Sequence, residues 1–146
     1  MIDAKKIKPE LTYDLRHRIL RPHRPIEECM YDTDHEAGTF HIGAFSNGQL
    51  ISVASFCNET NPNLSAQKQY RLRAMATLEE YRMFGAGRSL VNYSEKLLNE
   101  LAVDLLWCKA RTAVQKYYSR LGFSAQGEVF DYPTLGPHII MFKKIN

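Results

Sequence analysis

Residues 71–87 read Arg71-Leu72-Arg73-Ala74-Met75-Ala76-Thr77, then Leu78-Glu79-Glu80-Tyr81, then Arg82-Met83-Phe84-Gly85-Ala86-Gly87. The first seven predict a strand. The last six form an R-x-x-G-x-G turn that opens a helix. Glycines at a helix start let the backbone approach a ligand with no Cβ in the way. The helix start also offers unpaired N–H groups and the positive end of the helix dipole, which together favour phosphate. The stretch therefore points to a pyrophosphate-bearing ligand held by backbone amides. Taken alone, it also fits an ordinary strand-to-helix turn. Two other phosphate motifs fit poorly. No Lys-Ser or Lys-Thr follows the glycines, so a P-loop is disfavoured. A dinucleotide fingerprint needs a third glycine and an acidic residue about 20 residues on. Asp104 stands near that distance, but the third glycine is missing.

The chain around this stretch is long enough, at 146 residues, for one domain with its own core. Its 45% hydrophobic content argues for a folded globule. A net charge of +3 is too mild to imply nucleic acid, and Lys5-Lys6 and Lys143-Lys144 are isolated basic pairs. No apolar run approaches the roughly 18 residues of a membrane span, and residues 1–6 lack a signal core. Cys29, Cys57 and Cys108 match no zinc spacing, so no metal is expected. Their odd number suits a reducing compartment, hence a cytoplasmic protein. Cys57 and Cys108 fall in apolar runs and read as buried small hydrophobes.

Residues 2–7 predict a first strand. Pro9 to Leu20 predicts a helix, closed by Pro22. Residues 21–38 read as irregular. Thr39–Phe45 and Gln49–Phe56 predict a hairpin about the Asn47-Gly48 turn. Residues 58–68 are a polar loop, and Gln69 to Thr77 is the next strand. The helix after the glycines shows Leu90, Ser94, Leu97, Leu98 and Leu101 on one face, opposite Arg88, Asn92, Glu95, Lys96, Asn99 and Glu100. Leu105–Cys108 predicts a short buried strand. Thr112 and Gln115 have the spacing of a capping box for a helix carrying Val114, Tyr117, Tyr118 and Leu121, with Gly122 as its C-terminal cap. Phe123–Phe130 and His138–Lys143 predict a closing hairpin. The order β-α-β-β-β-α-β-α-β-β, without repeat or linker, predicts a single α+β domain over 1–146 with a mixed, mainly antiparallel sheet flanked by helices.

Two motifs stand in this frame. Met75 to Gly87 resembles the acetyl-CoA-binding motif of the GNAT (GCN5-related) N-acetyltransferases, whose usual form ends P-E-Y-R-G-K-G-I-G. Ala113-Val114-Gln115-Lys116-Tyr117-Tyr118-Ser119-Arg120-Leu121-Gly122-Phe123 is similar to the family's second motif, A-x-x-x-x-Y-x-x-x-G-F. A helix and one strand separate them, as in that family, and the order of elements matches over essentially the whole chain. Leu20-Arg21-Pro22 and Gly136-Pro137-His138 look like segments of a small, poorly characterised bacterial branch.

The resemblance implies transfer of an acetyl group from acetyl-CoA to a primary amine, with coenzyme A as product. It implies that the pantetheine arm pairs with Met75, Ala76 and Thr77, and that Arg82, Met83, Phe84, Gly85, Ala86 and Gly87 hold the pyrophosphate. Tyr118 falls on the family's general-acid tyrosine; a phenol near pKa ~10 can donate to a departing thiolate. Read from the residues alone, Tyr118 also fits a core aromatic, because it shares the apolar stripe of Val114 and Leu121; the motif position favours the functional reading. A backbone N–H near Met75 or Ala76 would polarise the carbonyl. Met83 and Phe84 replace a common glycine and lysine, and Arg111 stands where many members carry a cofactor-contacting asparagine.

No carboxylate base is evident. Glu59, His41 and His138 are the candidates for taking the amine proton. Arg71 and Arg73, two apart on a strand, face one way; they form either an acceptor site for a carboxylate or phosphate, or a solvated sheet face. Arg21, Asp32, Asp34 and His35 lie in the irregular segment that borders the acceptor in this family, and Arg21 and His138 join the candidate acceptor residues. Expected partners are a small-molecule or peptide amine, with no nucleic acid and no membrane; a homodimer is common among relatives. The alternative function is a non-catalytic acyl-CoA-binding or sensing module on the same fold.

Overall fold

Asn47 and Gly48 both take positive φ (+49° and +80°), the conformation of a tight turn whose twist matches a hairpin. They join β2 (Phe40–Ser46) to β3 (Gln49–Cys57) in an antiparallel pair. The computed structural model, which describes residues 1–145, extends this pair into one seven-stranded sheet. β1 (Ile2–Ile7) flanks β2, and β4 (Gln69–Thr77) flanks β3, all antiparallel. β5 (Leu105–Arg111) then runs parallel to β4. The hairpin β6 (Ser124–Tyr132) and β7 (Gly136–Lys144) inserts β7 beside β5, giving the order β1-β2-β3-β4-β5-β7-β6. The parallel pair needs a crossover, and α2 (Ala86–Glu100) supplies it.

α2 buries Leu90, Val91, Ser94 and Leu98 against the sheet, in a core shared with Ile42, Ala54, Phe56 and Leu72. Burying each of the larger side chains contributes about 1.5–3 kcal/mol. Leu101, expected on this face, is exposed, because the helix has already ended at Glu100. Trp107 and Leu105 point to the other face and pack with Leu64 of the 58–68 loop.

Local structure departs from expectation in four places. Pro9–Leu20 is helical but not one helix: a 3-10 turn (Pro9–Thr12), a short α1 (Tyr13–Leu15) and a π turn (Arg16–Leu20) follow each other. The irregular segment after it contains 3-10 turns at Ile26–Cys29 and Asp32–His35. β5 continues to Arg111 because Lys109, Ala110 and Arg111 pair with Ile140, Ile139 and His138, a charged continuation that hydrophobicity hides. Finally, the Thr112–Gln115 capping box does not form. Thr112–Val114 is a 3-10 turn, and α3 (Gln115–Arg120) starts without a side-chain cap. The other end fixes its phase. Gly122 (φ +97°) donates to the Ser119 carbonyl at 3.0 Å and Phe123 to the Tyr118 carbonyl at 3.1 Å, a Schellman closure.

Candidate active site

β4 and β5 stay paired only from Gln69↔Leu105 to Arg71↔Trp107. Beyond that they part. β4 carries a bulge: the β3 register passes from Val53↔Ala76 to Ser55↔Arg73, so β4 holds one residue too many. The excess is taken up at Ala74, a non-glycine at φ +53°. Bulges bend a strand and re-aim what it carries. Here the bend opens a cleft of about 810 Å³ between the two strands.

One end of the cleft is built by the glycine turn. Arg82, Met83, Gly85, Ala86 and Gly87 line it, together with Met75 and Thr77. Gly85 (φ +88°) caps the 15-residue α2, so the first N–H groups of that helix open at the cleft. Two of the expected residues contribute no side chain here. Ala76 is buried in the core, and Phe84 projects outward, 70% exposed.

Tyr118 and Tyr117 form the wall on the α3 side, ring centroids 5.6 Å apart and edge to face. Tyr118 also meets Phe123 edge to face at 5.6 Å. Burial, then the neighbouring Cys108 and Tyr117, push the Tyr118 phenol well above its ordinary range, so it stays protonated at any working pH. The Tyr117 hydroxyl lies 3.7 Å from the Met75 sulfur.

The opposite face of the sheet supplies different chemistry. Alternation along β5 puts Cys108 on Tyr118's side and Trp107, Lys109 and Arg111 on the other. Register places Arg71, Arg73 and His138 with the latter group. Arg71 is only 8% exposed, which excludes the solvated-face reading for it. It stacks on Trp107 at 5.2 Å, pairs with Glu59 at 3.3 Å, and its buried Nε has no partner among the described residues. Arg73 lies 4.5 Å from the centre of the Tyr31 ring and 3.4 Å from the Thr33 hydroxyl. His138, 4% exposed, places Nδ1 2.9 Å from the Gly136 carbonyl. A carbonyl only accepts, so in the neutral ring Nδ1 carries the proton and Nε2 keeps its lone pair. Arg21 and Arg111 also line the cleft.

The other base candidates lie elsewhere. His41 is buried between the Ser55 hydroxyl (2.6 Å) and the Asp34 carbonyl (3.0 Å), outside the cleft lining. Glu59 is occupied by Arg71. Asp34 is a structural partner: fully buried Arg16 donates to both of its oxygens at 2.7 and 2.9 Å. Asp32 and His35 are exposed and do not line the cleft. Sequence reasoning missed Lys109, Tyr31 and Tyr132. The alternation of Trp107, Lys109 and Arg111 was a signal for the first, had the strand been carried past Cys108.

A model of the Acetyltransferase (GNAT) family matches residues 9–123, and the chain belongs to that family. It is 49% identical over 145 residues to the uncharacterized N-acetyltransferase YitI of Bacillus subtilis (strain 168), covering 99% of this chain and 97% of that one. Among solved structures it is similar to Escherichia coli ElaA (TM-score 0.75, 18% identity, covering 98% and 99%). It is also similar to an aminoglycoside 6'-N-acetyltransferase complexed with coenzyme A (TM-score 0.75, 14% identity, covering 99% and 97%). Acyl transfer is the chemistry of this family, and the α+β fold with its mixed sheet is shared with these structures.

Proposed function

We propose that the chain transfers an acetyl group from acetyl-CoA to a primary amine by direct attack on the thioester. The observation that carries this reading is the parting of β4 and β5 beside a glycine-capped helix start, with Tyr118 in the wall between. The fit to the cofactor rests on two features. The β4 edge facing β5 beyond Arg71 has no ladder partner among the described residues, so an extended amide-bearing arm can pair along Met75–Thr77. The α2 N-terminus and the Arg82–Gly87 backbone suit a pyrophosphate.

Bound there, the thioester supplies an activated acetyl group. The residues of the chain divide the remaining work by face. Backbone N–H groups next to the Ala74 bulge polarise the carbonyl. Tyr118, held protonated, donates to the sulfur from one side. From the other side His138 Nε2 accepts the amine proton, directly or through water. Three free, buried cysteines support a cytoplasmic setting.

Calorimetry with acetyl-CoA and a thiol-release assay over an amine panel test the reading. Absence of binding near millimolar acetyl-CoA rejects it; binding without turnover on any amine favours the sensing module. His138→Gln removes the base while keeping a hydrogen-bonding side chain, and should lower kcat by ~10²-fold or more.

A further inference from the structure

The side chains beyond the Ala74 bulge carry a charge pattern that an ordinary amine acceptor would not need. Arg71, Arg73 and Lys109 sit on one sheet face, with Arg21 and His138 at its margins. No aspartate or glutamate lines the cleft among the described residues. Among the described residues Glu59 is the carboxylate that pairs with this group, meeting a single corner of Arg71, while Asp34, behind the Tyr31 ring, is taken up by Arg16. Three cations therefore face one carboxylate. Arg73 has no acidic partner among the described residues, only the Tyr31 ring and the Thr33 hydroxyl. Arg71 keeps a buried Nε with nothing to donate to. A buried guanidinium donor left unpaired is unfavourable by more than a neutral one. Arg16 Nε is also unpaired, but Arg16 lies outside the cleft, whereas Arg71 lines it, where a ligand can reach its free donor.

These cations are not needed for the cofactor's phosphates. Arg73 lies four positions before Thr77, about 13 Å along the strand, and the glycine turn lies further on again. The bulge separates the two ends.

We infer that the acceptor amine carries a second group, a carboxylate or a phosphate, which Arg71 and Arg73 receive while Lys109 adds charge. This deepens the acyl-transfer reading and rests on it for the place of the amine. The planar fork of a guanidinium matches two oxygens of either anion. Amino acids and amino-phosphates fit this end of the cleft. Polyamines and aminoglycosides, cationic throughout, are repelled by it.

Calorimetry on the full chain, with and without saturating coenzyme A, tests the inference through product-like ligands. N-acetylglycine is compared with N-acetylglycinamide, and N-acetyl-O-phosphoethanolamine with N-acetylethanolamine. The single tryptophan, Trp107, lies against Arg71 and reports occupancy by its emission. At least one anion should bind about tenfold or more tightly than its neutral counterpart. Arg73→Ala and Arg71→Gln should erase that preference without altering coenzyme A affinity. Whichever anion wins names the acceptor class. Equal binding of anionic and neutral ligands by the wild-type chain overturns the inference, as does a preference that survives both substitutions. Failure of coenzyme A itself to bind would instead reject the acyl-transfer reading, and the coenzyme-free titrations would still decide this one.

Discussion

The Tyr117 hydroxyl occupies the space that a Cβ on Gly87 would need. The second glycine of the R-x-x-G-x-G turn is thus required by a side chain of the protein as well as by any ligand.

Gly87→Ala reverses the usual sign of such a change. Inside a helix, alanine is normally favoured over glycine by about 0.5–1 kcal/mol. Here the added methyl must displace Tyr117, and overpacking of this kind costs roughly 1–3 kcal/mol. Denaturant melts should show a loss, and adding Tyr117→Phe should recover part of it, because the closest clash is with the hydroxyl. Additive single and double changes would mean that the two residues do not meet.

Tyr118→Phe deletes one hydroxyl and keeps the ring packed against Tyr117 and Phe123. As the general acid it should cost kcat ~10²-fold or more. Acetyl-CoA affinity and Tm should barely move, since the hydroxyl has no hydrogen-bond partner among the described residues. Because its pKa is raised, the wild-type rate should show no loss attributable to this group up to pH 10. Unchanged turnover in the variant would remove Tyr118 from the mechanism.

Asp34→Ala tests the buried pair beneath the acceptor end. It would leave the Arg16 guanidinium, fully buried beside Ser55, without its counter-charge. Breaking such a pair costs about 3–5 kcal/mol. Asp34 also accepts from the Tyr31 backbone N–H at 3.0 Å, and the Tyr31 ring lies within 4.5 Å of both the Arg16 and Arg73 guanidiniums. Surviving activity should therefore show a raised KM for the acceptor more than a raised KM for acetyl-CoA.

The same cluster predicts acid sensitivity. Burial, working against the Asp34 carbonyl and carboxylate, holds the His41 pKa below its ordinary value. The unfolded chain then takes up a proton near pH 6.5 that the folded chain refuses, so stability is complete above that pH and falls as pH drops through it. Tm measured from pH 7.5 to 5 should decline, and His41→Gln should flatten that part of the slope. An unchanged slope would show that His41 does not contribute.

The glycine turn, the strand before it and the amphipathic α2 were legible because each is a local pattern. The Ala74 bulge was not: nothing about an alanine announces φ +53°, and the extra residue shows only against the register of β3. The Thr112–Gln115 spacing misled, since a 3-10 turn took those residues and the Gly122 closure governs the phase of α3. The Arg16–Asp34 pair joins a residue of the predicted first helix to one 18 positions on in the irregular segment, and only burial distinguishes it from two solvated charges. Arg71 and Arg73 were visible as a same-face pair, but the depth of Arg71 and its unpaired Nε were not, because both depend on the loop and strand packed around it.

The parting of β4 and β5 has a thermodynamic side. Past Arg71↔Trp107 the sheet runs on as if a strand had been left out of it. On the proposed reading the pantetheine arm is that strand, so the acyl donor is also part of the fold. A ligand at a hundred times its Kd adds about 2.7 kcal/mol to the folded state. The lifetime of the chain against unfolding and proteolysis would then rise and fall with the supply of acyl-CoA, making the protein's abundance follow the metabolite it spends.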